Sequence, residues 1–222
     1  MLMLLIQIPR KRWDSNREPD RVIFHAGLLA PMQMLGESLA IRRLALASFV
    51  YTGMQLCFVT FMTVHLTSKV NFDLIQAGQA LAVYQIVAVL SRPIWGWLAD
   101  KVLAARWLLA LQGVIMCVTA VLAGQFGVDW PQILVIAVCA VAGATASGFT
   151  GLAYAEWARL GGTRRTEATG LGTGLMFAGV MLIPSAFSVA VTAFGDYAAA
   201  YAVAGGLAAI SGLLLMGGGR SR

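Results

Sequence analysis

The sequence predicts an all-helical membrane protein that crosses the bilayer six times. Three observations carry this reading. The chain has 222 residues, of which 59% are hydrophobic and only 12% charged, whereas a soluble domain carries about 25% charged residues. The apolar residues gather into six long runs, and a membrane helix needs roughly 20 such residues. The basic residues crowd onto alternate connections between those runs. A water-soluble globule of this composition would lack polar surface to cover itself, which argues against a soluble enzyme, a nucleic-acid binder or a disordered chain. The net charge of +6 therefore reports membrane topology rather than a nucleic-acid partner.

Residues 1–43 precede the first run and divide into three parts. Met1 to Ile8 is apolar but too short to span, and it lacks the basic start and cleavage site of a signal peptide. Residues 9–21 are highly charged and read as a cytoplasmic linker. Residues 22–36 mix apolar side chains with His25 and Gln33 and suit an interfacial helix lying on the membrane. An apolar scrap followed by a charged linker is what a segment of a longer protein would look like.

The predicted bundle covers 44–217, with a short cytoplasmic tail at 218–222. Its runs are 44–67, 76–97, 107–124, 131–157, 168–192 and 198–216, and their only His or charged residues are His65, Arg92 and Glu156, each near an end. Such continuous runs are helices; a barrel would show short alternating segments. The first run carries Thr52, Gln55 and Thr60, with His65 read as interfacial at its outer end. The second carries Tyr84 and Gln85, with Arg92 close enough to the basic side to snorkel and Pro93 as a kink site. The third offers Gln112 and Thr119. The fourth offers Thr145, Ser147 and Thr150, the fifth Thr173 and Pro184, and the sixth Ser211 alone. Small residues recur every fourth position at Gly143, Ser147 and Gly151, and again at Gly170, Gly174 and Ala178, a spacing that lets membrane helices approach backbone to backbone. Cys57, Cys117 and Cys139 lie inside apolar runs and read as packing residues.

The connections orient the bundle. Those on one side hold Arg10, Lys11, Arg12, Arg17, Arg21, Arg42, Arg43, Lys101, Arg106, Arg159, Arg164, Arg165, Arg220 and Arg222, which is all but two of the 16 basic residues. The opposite connections hold Lys69 with Asp73, Asp129 and Asp196. The positive-inside bias then puts both termini in the cytoplasm.

The second run ends Ser91-Arg92-Pro93-Ile94-Trp95-Gly96-Trp97-Leu98-Ala99-Asp100-Lys101. This resembles the cytoplasmic loop motif of the major facilitator superfamily, Gly-x-Leu-Ala-Asp-Arg/Lys-x-Gly-Arg-Arg. Gly96, Leu98, Ala99, Asp100 and Lys101 match. Leu103, Ala104 and Ala105 replace the glycine and arginines of its second half, and Arg106 follows late. Gly96 is read as a place where a neighbouring helix can come close. The stretch from Gly151 to Leu160, followed by Arg164, Arg165 and Glu167 to Gly170, resembles the connection between the fourth and fifth spans of a facilitator half. The resemblance covers all six runs and implies the carboxyl-terminal half of a twelve-helix transporter, built as two inverted three-helix repeats.

That resemblance implies a secondary transporter of a small molecule, working by alternating access. The alternative is a membrane scaffold or regulatory subunit that kept the half fold without transport. The first, second, fourth and fifth helices would surround a cavity, with Gln55, Tyr84, Gln85, Thr52 and Thr150 as substrate-facing candidates, because polar groups at membrane depth face a bundle interior or a water-filled cavity. A cytoplasmic lock would be formed by Gly96, Asp100, Lys101, Arg106, Glu156 and Arg159, with Asp100 pairing with Arg159 or the start of the fifth helix, and Glu156 with Arg106 or Lys101. No acid, base or metal set for catalysis is seen, so no enzyme, cofactor or metal is expected. The expected partners are a small-molecule substrate, the lipid bilayer, and a second six-helix half, either a separate chain or a second copy. The expected location is a plasma membrane, bacterial inner membrane by resemblance.

Overall fold

The computed structural model describes residues 30–217, and all of its regular structure is helical. Residues 1–29 and 218–222 lie outside the described region, so the charged linker, the apolar start and the tail expected from the sequence fall there, as does most of the interfacial segment 22–36. Helix α1, Ala30–Glu37, takes up the rest of that segment.

Helix α2, Leu39–Lys69, starts five residues before the apolar run and carries Arg42 and Arg43 in its first turns. Its 31 residues extend about 46 Å at 1.5 Å per residue, more than the roughly 30 Å hydrocarbon core, so its ends reach the headgroup layers. Helix α3, Leu74–Lys101, begins on a reciprocal cap: the Gln76 backbone N–H donates to Asp73 Oδ1 at 2.7 Å and the Asp73 N–H to Gln76 Oε1 at 3.0 Å. Asn71, in the connection before it, takes a left-handed backbone with φ of 58°, which an asparagine side chain tolerates. Helix α4 is Ala105–Gly124.

The fourth apolar run is one helix in the sequence reading and three pieces in the structure. Helix α5, Gln132–Ala142, passes into a π-helical segment, Gly143–Ser147, and a turn at Gly148 and Phe149 leads to α6, Thr150–Gly161. The chain then turns through Gly162, whose φ of 54° suits a residue without Cβ. Helix α7, Arg165–Phe194, packs side by side with α6 across this turn. Gly195, at φ of 70°, ends α7 in the left-handed form and returns its N–H to the Val191 carbonyl. Helix α8, Tyr197–Met216, closes the described chain. By length and composition five helical stretches can cross a membrane, one of them the 63-residue stretch Gln132–Phe194.

Three packings build the core. Helix α4 lies along α8, α2 along α7, and α3 against α5, the π segment and α6. Glycine decides how close each pair comes. A Cβ at Gly113 would sit 2.7 Å from the Ala208 carbonyl, and one at Gly124 would sit 2.7 Å from Ala198 Cα. A Cβ at Gly179 would collide with the Phe49 carbonyl, and one at Gly143 with the Tyr84 carbonyl. These are backbone-to-backbone approaches of the kind that holds helices together in lipid, where apolar burial alone gives no drive.

An aromatic seam fills the space between. Tyr201 touches Phe58 at 5.5 Å between ring centroids and Phe187 at 4.9 Å, and Phe58 reaches Tyr84 at 6.1 Å. His65, near the outer end of α2, belongs to this seam. It is buried, its Nε2 lies 2.9 Å from the Ala123 carbonyl, and its ring lies 4.7 Å from that of Tyr197. The start of α8 and the end of α4 cover it.

Candidate functional site: a charge-lined cavity and an uncovered helical face

The ends of α3 and α6 and the start of α4 enclose a cavity of about 530 Å³. Asp100, Arg106, Glu156 and Arg159 all line it, with Ala99, Ala104, Ala105 and Ala155 between them. Four of the six residues expected in the cytoplasmic lock are thus brought to one place. Lys101 is exposed and Gly96 half-buried, and neither lines the cavity. A Cβ at Gly96 would meet nothing within 4 Å, so the close helix approach expected there is absent among the described residues.

The pairing inside the cluster differs from the expected one. Glu156 is gripped by Arg159 from its own helix, with Nε to Oε2 at 2.7 Å and Nη2 to Oε1 at 2.6 Å. The spacing of three residues puts the two side chains on one face, so the local fork forms before any partner on another helix is reached. The Glu156 side chain is only 7% exposed, while that of Arg159 is 57% exposed, so the carboxylate is at the floor and the guanidinium forms a lid. Asp100 makes no ion pair among the described residues. A second charged contact lies nearby: Arg164 bridges Glu37, at 3.3 Å, and Glu167, at 2.8 Å. These carboxylates, the Glu167 hydrogen bond above all, raise the Arg164 pKa further.

The polar candidates at membrane depth separate into two groups. Tyr84 is fully buried and its hydroxyl shares a 2.8 Å hydrogen bond with Ser147 Oγ. Thr52 is half-buried and donates to the Ser48 carbonyl of its own helix at 2.7 Å. Gln55 and Thr150 are half-buried and Gln85 is exposed, and none of the three has a side-chain hydrogen bond among the described residues. Two groups that the sequence reading missed tie α3 to the π segment: Trp95 Nε1 donates to the Ala144 carbonyl at 2.7 Å, and Ser91 Oγ to the same oxygen at 3.2 Å. Trp95 stands beside Gly96 in the loop motif, which was its one sequence signal. Thr173 Oγ1 donates to Tyr154 Oη at 3.3 Å and links the exposed side of α6 to α7.

Gly151, Gly170 and Gly174, expected to be packing residues, are exposed, and a Cβ on any of them would meet nothing within 4 Å. On α7 the exposed face continues through Phe177 and Met181. Small residues there lie on a side of the bundle that no described element covers. Among the described residues no three His, Cys, Asp or Glu side chains gather as a metal site.

A sequence profile of the Major Facilitator Superfamily matches residues 44–220. The chain belongs to the Major Facilitator Superfamily. The match covers the motif at the end of α3 and every helix from α2 onward. No curated protein matches the chain. Among solved structures, this superfamily member is similar to the E. coli fucose:proton symporter, with a TM-score of 0.73 at 14% identity. The alignment covers 87% of this chain and 46% of the symporter, so the chain spans about half the length of that relative. At this identity the likeness establishes the fold.

Proposed function

We propose that residues 44–217 form one six-helix half of a secondary transporter for a small molecule, which works by alternating access against a second half. The observation that carries this is the uncovered face: the exposed glycines Gly151 on α6 and Gly170 and Gly174 on α7, the last two on a helix that packs elsewhere through buried Gly172 and Gly179; Gln85 on α3 is a further exposed, unbonded amide. A membrane protein exposes small residues and unspent amides where another helical layer or a water-filled cavity meets it.

Two further observations support the half-transporter reading. The stretch Gln132–Phe194 has 63 residues, which is about 95 Å of helix against a core of roughly 30 Å; that length suits two crossings meeting near Gly162 and supports a total of six. The packing pattern also suits two inverted three-helix repeats. The pair α2 with α7 has its counterpart in α3 with the α5–α6 unit, and α4 with α8 joins the third member of each repeat. The excess of basic residues on one set of connections supports cytoplasmic termini, and the family resemblance supports a plasma membrane of the bacterial inner-membrane kind. The second half is a separate polypeptide segment or a second copy of this one.

Thiol accessibility tests the proposal. Cysteines placed at Thr150 and Gly174 in the full chain, in cells, should react with a membrane-impermeant maleimide, from one side of the membrane or the other according to conformation. Failure of both to react from either side means that the face looks at lipid, and the transport reading falls. Labelling that never changes side favours the scaffold alternative, towards which the altered second half of the loop motif at Leu103, Ala104 and Ala105 points.

A further inference from the structure

Two buried polar atoms of the aromatic seam have no hydrogen-bond partner among the described residues: His65 Nδ1 and Tyr201 Oη. Their rings are neighbours, 6.0 Å apart between centroids, where α2 and α4 end and α8 starts. The state of the imidazole follows from its other nitrogen. Nε2 lies 2.9 Å from the Ala123 carbonyl, and a carbonyl only accepts, so Nε2 carries the hydrogen. The neutral ring then has one donor, which is satisfied, and presents Nδ1 as a bare acceptor.

A proton on Nδ1 makes the ring a cation with a second donor. A buried charge needs compensation, and a buried donor needs an acceptor. The surroundings supply the first need in part. The Tyr197 ring lies 4.7 Å from the imidazole and the Tyr201 ring 6.0 Å, within the range in which an aromatic face attracts a cation. Phe126 stacks on it within 16° of parallel, at 6.3 Å. The second need points to a carboxylate. Asp196 holds the N-cap position of α8 and makes no capping bond there, and it is exposed. Asp73, at the start of α3, is by contrast spent on its own helix cap. The negative charge of Asp196 favours a proton on His65, and the positive charge of Lys69, in the last turn of α2, opposes one. Helices α4 and α7 bring no ionisable side chain to this end of the bundle.

We propose that His65 Nδ1 is a proton-binding site that sets the position of the α8 start: the neutral ring fits the packed arrangement, and the protonated ring takes Asp196 as its counter-ion and redraws the contact of Tyr197 with the ends of α2 and α4. Asp196 and Tyr197 are adjacent in the chain, so a carboxylate drawn toward the imidazole carries the first turn of α8 with it. Histidine is the side chain whose ordinary charge change falls between about pH 5 and pH 8. The site lies under α4 and α8, apart from the charge-lined cavity and from the uncovered face of α6 and α7, and it is independent of the transport reading.

NMR of the purified full chain in detergent, isotope-labelled at histidine and tyrosine, tests it. The chain has two histidines, so His25→Gln leaves the His65 signal alone, and Tyr197→Phe identifies the Tyr197 signal. At about pH 8 the ring should show the tautomer with hydrogen on Nε2. Between about pH 8 and pH 5 it should take up a proton reversibly, and the Tyr197 signal should move with the same midpoint. Asp196→Asn should weaken proton binding by about two- to fivefold, and Lys69→Gln should strengthen it by a similar factor, as exposed charges do. Both substitutions are at exposed positions. A ring that stays neutral until acid removes the helical circular dichroism would mean a packing histidine only, and would overturn the proposal. So would protonation that leaves Tyr197 unmoved, or a midpoint that neither variant shifts.

Discussion

Removing Arg159 should destabilise the bundle more than neutralising its partner Glu156, although the two form one ion pair. The reason is their unequal burial. The Glu156 side chain is 7% exposed and that of Arg159 is 57% exposed. Breaking a fully buried pair from one side costs about 3–5 kcal/mol, because a charge is left without compensation. Here Arg159 faces water and the carboxylate borders the 530 Å³ cavity, so screening brings the cost of Arg159→Ala to about 1–2 kcal/mol. Glu156→Gln keeps the shape, leaves no buried charge and should cost under about 1 kcal/mol. The double variant should be more stable than Arg159→Ala alone, since its buried amide no longer needs a cation. At roughly 2–4 °C per kcal/mol for a chain of this size, thermal unfolding of the purified chain in one detergent resolves the series. The ordering is the test. A Glu156→Gln variant less stable than Arg159→Ala, or a double variant less stable than both, would mean that the pair is not organised around a buried carboxylate.

The other predictions concern packing and topology. Gly143→Ala should destabilise strongly, by about 3 kcal/mol or more, because its Cβ meets the Tyr84 backbone, whereas Gly174→Ala should be neutral or stabilising by up to about 1 kcal/mol; equal effects in a denaturant titration would contradict the packing. Gln112 is fully buried with neither amide atom bonded among the described residues, so Gln112→Leu should stabilise by about 1–3 kcal/mol, and a lower midpoint would show that the amide has a partner in the membrane. Reporter fusions after Asp73, Asp129 and Asp196 should report the outside, and a cytoplasmic signal at any two of them would reverse the topology.

The fold was legible in the sequence because the bilayer limits it to a small set of solutions. Apolar runs separated by charge gave every long helix to within a few residues at most ends, and the loop motif gave the family. Three features were hidden for physical reasons. The start of α2 lies at Leu39, five residues before the expected one, because a membrane helix can continue through Arg42 and Arg43 into the headgroup layer without an apolar signal. The glycines of one stripe, Gly143 and Gly151, look alike in sequence, yet the first meets a backbone and the second meets nothing; spacing states which face a residue shares and not what lies opposite. Glu156 took Arg159, three residues away, over Arg106 or Lys101, because a partner on the same helix is already in place.

The π segment is where backbone irregularity and polar sequence account for each other. Widening the helix at Gly143–Ser147 disturbs its regular hydrogen bonding, and in a membrane every exposed backbone carbonyl must be satisfied from within the protein. Trp95 and Ser91 both donate to Ala144 O, Tyr84 bonds Ser147, and Thr145 turns its hydroxyl back to the Val141 carbonyl at 2.9 Å. Ser91, Trp95, Tyr84 and Ser147, which a sequence reading can assign to a cavity or a motif, are therefore consumed in holding α3 to this segment, and Thr145 is spent within it. Tyr84 in particular has little left to offer a substrate. Of the cavity candidates, those with unspent bonding capacity among the described residues are Gln55, Gln85 and Thr150, and of these Gln85 is the most exposed. On the transport reading proposed above, the candidate substrate contacts then move from the buried tyrosine to the two glutamines. It also implies that Trp95→Phe, which removes one donor and keeps the ring, should loosen the π segment without removing any group that could touch a solute.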